Sequence, residues 1–111
     1  MSQKLSTSFF ASNRFEQRIK DFVYGFIQYL QTQKRYSKHS CDSYIYDIVS
    51  FLFFLRDKRE AQSLVISHIE ELTVRDFRSW LAERLEDHSN TSNARALSAL
   101  RSFFKYLWQI N

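Results

Sequence analysis

The chain has no proline, one glycine and one cysteine in 111 residues. Hairpins and tight turns that need positive φ or a ring-fixed φ are thereby nearly ruled out, which argues against a β-rich fold. Gly25 stands alone inside an apolar-periodic segment, so a glycine-rich phosphate loop is excluded. With Cys41 alone, no internal disulfide can form. It lies on an apolar stripe, as a buried thiol in a reducing compartment would. The run Ile48 to Leu55 contains Ser50 and is too short to span a bilayer, and Met1 to Phe10 lacks the apolar core of a secretory leader. A soluble, cytoplasmic protein with no membrane partner is the expectation.

Apolar bulk is plentiful. Hydrophobic residues make up 44%, with 11 Phe, 6 Tyr and 2 Trp, enough for the core of one domain. A chain of this length buries roughly two-thirds of its unfolded surface. The net charge of +4 is unevenly placed. Residues 1–36 carry six basic and two acidic side chains, 61–88 carry an acidic excess, and 89–111 carry Arg95, Arg101 and Lys105 with no acid.

Apolar spacing predicts a compact all-α bundle of four main helices. Residues 1–12 read as a flexible or partly helical N-terminal extension and 13–111 as the helical domain. Asn13 with Glu16 would cap the first helix, whose stripe is Phe15, Ile19, Phe22, Phe26 and Leu30. Ser37 would cap the second, with Cys41, Tyr44, Ile45, Ile48, Leu52 and Leu55 inside and a later half apolar on several sides. Leu64-Val65-Ile66 reads as extended or irregular, with Ser67 and Glu70 starting one helical turn. Thr73 and Asp76 would open the third helix, with Val74, Phe77, Trp80, Leu81 and Leu85 inside. Glu83, Glu86 and Asp87 beside Arg84 would form its solvated face.

The fourth helix, from about Thr91 to Trp108 with Asn90 or Thr91 as its cap, is the most informative. Ala96, Leu97, Leu100, Phe103, Phe104, Leu107 and Trp108 fall on one arc, and Arg95, Ser98, Ser102 and Lys105 on the other, with Arg101 at the border. A packed face backed by a basic, hydroxyl-rich one suits contact with phosphates and base edges. The plainer account is a solvated helix that lacks acids by chance. The starts of the second and fourth helices are both dense in hydroxyls and amides beside a basic residue, as phosphate contacts at helix N-termini would be; ordinary capping explains part of that. His39, His68 and His88 lie in separate polar stretches, so neither a metal site nor a catalytic constellation is expected, and no cofactor is implied.

In order, the motifs are Ser37-x-x-Ser40-x-x-x-Tyr44-x-x-Asp47-x-x-x-Phe51, Leu72-Thr73-x-x-Asp76-x-x-x-Trp80-Leu81, and Ser92-x-x-Arg95-x-Leu97-Ser98-Ala99-Leu100-Arg101-x-Phe103-Phe104-x-Tyr106-Leu107. From about residue 15 to 108 the chain resembles the N-terminal core-binding (SAM-like) domain of tyrosine recombinases, most of all the Xer branch. The resemblance implies a four-helix DNA-binding domain that grips a recombination core site on double-stranded DNA. The second and fourth helices would enter the major groove, and the first would meet neighbouring recombinase subunits in a synaptic tetramer. Carried over by position, Lys38, Ser40, Asp42 and Ser43 would face DNA from the second helix, and Thr91, Ser92, Arg95 and Arg101 from the fourth. Ser98 and Lys105 join them on the helix-face argument. Asp42 would either accept from a cytosine amino group or cap its own helix. The catalytic set of such enzymes belongs to a second domain, and nothing here matches it, so the chain is not expected to be an enzyme alone. The isolated domain is expected to be a monomer. A different class stays open: an all-α protein–protein interaction module whose aromatic-rich first helix, with Phe9 and Phe10, docks a partner.

Overall fold

A computed structural model describes residues 2–110, with side chains from residue 7 onward. Among them the only regular elements are six α-helices: α1 (Ser2–Ala11), α2 (Gln17–Thr32), α3 (Lys38–Arg59), α4 (Ile66–Glu70), α5 (Val74–Arg84) and α6 (Asn90–Ile110). The first to fourth helices expected from the sequence correspond to α2, α3, α5 and α6, and α4 is the single turn anticipated at Ser67.

α3 occupies the centre because its buried residues do not keep to one stripe. Ile45, Ile48, Val49, Phe51, Leu52 and Leu55 are buried over nearly half of its circumference, half-buried Phe53 and Phe54 pack on the core from its other sides, and α1, α2, α5 and α6 each pack on it. Ser37 caps α3 as expected, its hydroxyl accepting from the Ser40 N–H at 3.1 Å. Cys41 is buried, and burial, helped by neighbouring Asp42, pushes its thiol pKa up. Phe51 anchors the aromatic core, stacking on Phe77 at 5.2 Å and meeting Trp80 edge-on at 5.3 Å.

The expected N-terminal extension takes its partly helical form over Ser2–Ala11 and is docked. α1 lies on α3, and Phe9 is fully buried between Phe10 and Phe15. The apolar pair Phe9-Phe10 supplies the burial that holds a short polar helix down. Asn13 does not cap α2 either. Residues Arg14 to Glu16 run beside Leu64 instead: the Glu16 N–H donates to the Leu64 carbonyl and the Leu64 N–H to the Arg14 carbonyl, both at 2.8 Å. This parallel bridge between Phe15 and Leu64 delays the helix start to Gln17 and buries both side chains.

The Thr73–Asp76 pair opens α5 as expected, the Thr73 N–H donating to Asp76 Oδ2 at 2.9 Å. Asp76 also takes a two-pronged bond from Arg59 at 3.0 and 2.9 Å, tying α5 to the end of α3. That guanidinium is the main reason the Asp76 carboxyl is held below its ordinary 3.8; burial opposes the shift and the Thr73 N–H adds to it. A carboxyl depressed on folding contributes stability above its unfolded value, lost as pH falls through the folded value. Unfolding free energy should therefore fall more steeply below about pH 4 in the parent than in Asp76→Asn. Parallel acid titration curves would remove Asp76 from the acid response.

Three residues expected inside lie outside: Val74 (63% exposed), Leu85 (61%) and Trp108 (86%). Val74 and Leu85 share one edge of α5, turned away from the face that carries buried Asp76, Trp80 and Arg84. At 21 residues α6 is about 31 Å long. It therefore runs the length of a molecule 35 × 32 × 27 Å, and near its end Leu107 is buried while Trp108, one helical step on, is turned to solvent.

Gly25 earns its place on α2 by proximity to α6. A Cβ built there would stand 2.6 Å from Tyr106 Oη and 3.7 Å from Tyr106 Cζ. Tyr106 is itself wedged against Phe26 and Tyr29, with ring centroids 5.4 and 5.2 Å away. Gly25→Ala is expected to destabilise by about 1 kcal/mol despite the better helix former. In a Tyr106→Phe background the same change meets only ordinary contacts and should stabilise by about 0.5–1 kcal/mol. Urea unfolding of the four variants checks this reversal of sign, and an equal effect in both backgrounds would disprove the contact.

Candidate nucleic-acid interface

α6 begins at a cap the sequence did not single out. Ser89, rather than Asn90 or Thr91, accepts from the Ser92 N–H at 3.1 Å. With the start set there, Thr91, Ala94, Arg95, Ser98, Arg101 and Lys105 come to the exposed side, and Asn93, Ala96, Ala99, Leu100, Phe103 and Leu107 are buried. Trp108 lies two turns beyond Arg101 and so continues the exposed stripe. Arg101 and Lys105 make no ion pair or hydrogen bond through their side chains among the described residues. On the first turns of α3, Lys38 is exposed, and Ser40, Asp42 and Ser43 are half-buried. The Ser40 hydroxyl is engaged with Ser37 at 3.1 Å.

Arg95 differs from the expectation that its guanidinium aims outward. It turns back onto α3, where Nε donates to Asp47 Oδ2 at 3.0 Å and Nη2 to Oδ1 at 3.1 Å. Asp47 is completely buried, while the Arg95 side chain is still 42% exposed. The bond to Asp47 is the main influence raising the Arg95 pKa against the opposing pull of burial, so its charge is firmly held. Arg84, expected on a solvated face, is also inside, with only 5% of its side chain exposed. Its Nε donates to Asn93 Oδ1 at 2.8 Å, Nη2 donates to the Ser92 hydroxyl at 3.2 Å, and Nη2 stands 4.0 Å from Asp47 Oδ1. The guanidinium carbon lies 4.9 Å over the Trp80 ring. Asn93 Nδ2 is buried with no partner among the described residues.

Two arginines thus surround one buried carboxylate, and the cluster joins α3, α5 and α6. A carboxylate out of water costs several kcal/mol unless paired, and here two cations and a bidentate bond offset that cost. Of the residues expected to face DNA, Ser92 and Arg95 belong to this cluster. Thr91, Ser98, Arg101 and Lys105 form the free outer stripe of α6, and Lys38, Ser40, Asp42 and Ser43 lie apart on α3. No three His, Cys, Asp or Glu side chains gather as a metal site would need among the described residues. No described helix is long and apolar enough to cross a membrane.

The family described as phage integrase, N-terminal SAM-like domain, matches residues 23–110. The chain belongs to this family. The match takes in the cluster and the outer stripe of α6, and leaves α1 and the opening of α2 outside it. Among its relatives, tyrosine recombinase XerC of Rickettsia felis is 36% identical over 90 residues, 80% of this chain and 29% of that protein. Tyrosine recombinase XerC of Rickettsia canadensis is 38% identical over 90 residues, with the same two shares. The Rickettsia bellii XerC is 36% identical over 91 residues, 81% of this chain and 30% of its own length. The chain therefore spans about three-tenths of these relatives and corresponds to a Xer-like SAM-like domain. No solved structure matches it significantly.

Asp47, which stands in the first motif, Arg84 and Asn93 are the residues of this SAM-like domain to which sequence reasoning gave no role in a site. One signal was available for Asp47: a carboxylate set among Ile45, Ile48 and Val49, where solvent cannot reach. A buried charge demands a partner of opposite sign. Nothing in the local spacing shows that the partner lies on α6.

Proposed function

We propose that this chain is the DNA-binding, non-catalytic N-terminal domain of a Xer-like tyrosine recombinase, gripping one half of a recombination core site. The catalytic domain it would position, and the neighbouring subunits it would meet in a synaptic tetramer, lie outside the chain. The observation that carries the reading is the outer stripe of α6: Arg101 and Lys105, exposed and unpaired among the described residues, beside Ser98 and Thr91 on an end segment that lacks acids. Cations left free of carboxylates are available to displace the counterions condensed on DNA. Lys38, Ser40, Asp42 and Ser43 on α3 would supply a second set of contacts. The family and the XerC relatives, named as recombinases, support the same reading.

Fluorescence anisotropy of a labelled duplex, titrated at several salt concentrations, is the test. With about three to five phosphate contacts, log K should fall with log salt at a slope near −3 to −4. No binding at about 50 mM salt, where such contacts are strongest, would reject the reading.

A second reading, a protein-docking module, is favoured by one feature. An open apolar groove of about 650 Å³ runs between α2, α4 and α6, walled by Phe22, Ile66, Ile69, Phe104 and Leu107, with Trp108 at its edge. A chain that ignores duplex DNA and binds a protein through Trp108 would establish this reading instead.

A further inference from the structure

We propose that Arg95 is a fixed anchor for a DNA phosphate and not a reader of base edges, and that Asp47 is the positioning residue that holds it so. The inference rests on the DNA-binding reading above and assigns roles within it. A base edge lies on the floor of a groove about 8.5 Å deep, and reaching it takes an arginine extended away from its helix. Arg95 is instead laid against the protein, with two of its N–H groups committed to a carboxylate that solvent cannot reach. Of the five donors of a guanidinium, three remain uncommitted on a side chain that is still 42% exposed, enough to meet a phosphate oxygen.

Charge decides whether such an anchor attracts a phosphate. An isolated Asp47–Arg95 pair would be neutral. Arg84, whose Nη2 stands 4.0 Å from the same Asp47 Oδ1, adds a second cation, so the trio keeps one positive charge. Asn93 and Ser92 fix Arg84 in turn, which keeps that surplus in place. Preference among sequences is thereby left to the outer stripe and to the start of α3.

The test uses two probes: a duplex enriched by the parent protein from a randomised pool, and a duplex of the same composition with its sequence shuffled. Arg95→Ala should weaken both by the same factor, on the order of tenfold, and make the salt slope shallower by about one. Arg95→Lys keeps the charge but loses the fork, and should produce a smaller loss, again equal for both probes. Asp47→Asn should weaken binding in the parent background and add little in the Arg95→Ala background, because it acts through Arg95. A merely structural softening would add in both. If Asp47→Asn does not fold, the two Arg95 variants decide. Should Arg95→Ala abolish the preference for the enriched duplex while leaving the shuffled one unaffected, Arg95 reads bases and the inference is overturned. Losses that add in the double variant overturn the role of Asp47. A parent that binds neither probe removes the DNA-binding reading itself, and the inference falls with it.

Discussion

Asp47→Ala should cost about 3–5 kcal/mol of folding free energy, because removing one member of a buried ion cluster leaves the others without compensation. Asp47 is fully buried, and its loss would leave Arg84, with 5% of its side chain exposed, facing Arg95 across an empty site. For a domain of this size the melting temperature should fall by on the order of 15 °C. The cause can be separated from simple cavity formation. If uncompensated charge dominates, replacing the trio by Asp47→Leu, Arg84→Met and Arg95→Met together should recover most of the loss, since apolar side chains of similar volume need no counter-ion. Urea unfolding of the single and triple variants reads both effects. A loss below about 1 kcal/mol in Asp47→Ala would mean that the cluster does not hold α3, α5 and α6 together.

Function should respond most to the residues that stability ignores. Arg101→Glu with Lys105→Glu is expected to weaken duplex binding by on the order of a hundredfold or more at about 0.1 M salt, and to make the salt slope shallower by about two. Both side chains are exposed and form no ion pair among the described residues, so folding free energy should shift by no more than about 0.5 kcal/mol. Anisotropy titrations and urea unfolding on the same preparations check the two halves of that statement. Retained affinity would move the DNA surface away from α6. The contrast with Arg95 is informative: its removal should cost both stability and affinity, because it stands in the inner cluster and at the surface together.

Periodicity carried much of the fold. The stripe from Ile19 to Leu30, the all-round apolar second half of α3, and the caps at Ser37 and Thr73 are repeats and hydrogen bonds over three or four residues, and such patterns are visible in a chain without its fold. The same holds for the exposed position of Ser98, Arg101 and Lys105. The starts of α2 and α6 were misplaced because each depends on more than local capping chemistry. Asn13 is a good cap by type, but the bridge to Leu64 pre-empts it; Ser89 is one of several polar candidates in its link. The burial of Phe9 is not legible locally, because a helix as short as α1 cannot stand alone and is held by the core it enters.

Helix class, helix order and the basic outer face of α6 follow from composition and from spacings within a turn or two, where each residue's neighbours are set by the chain's own connectivity. Which arginines stay free does not. Arg84 and Arg95 look like solvent-facing cations on their own helices, and they turn inward only because packing brings them to Asp47, on a helix far away in the chain. Trp108 has the apolar character of a core residue and is left outside because docking turns the Leu100, Phe103 and Leu107 face of α6 to the core and leaves Trp108 on the side of Arg101. Electrostatic pairing and the limits of burial depend on distances through space, and those exist only once the helices have docked.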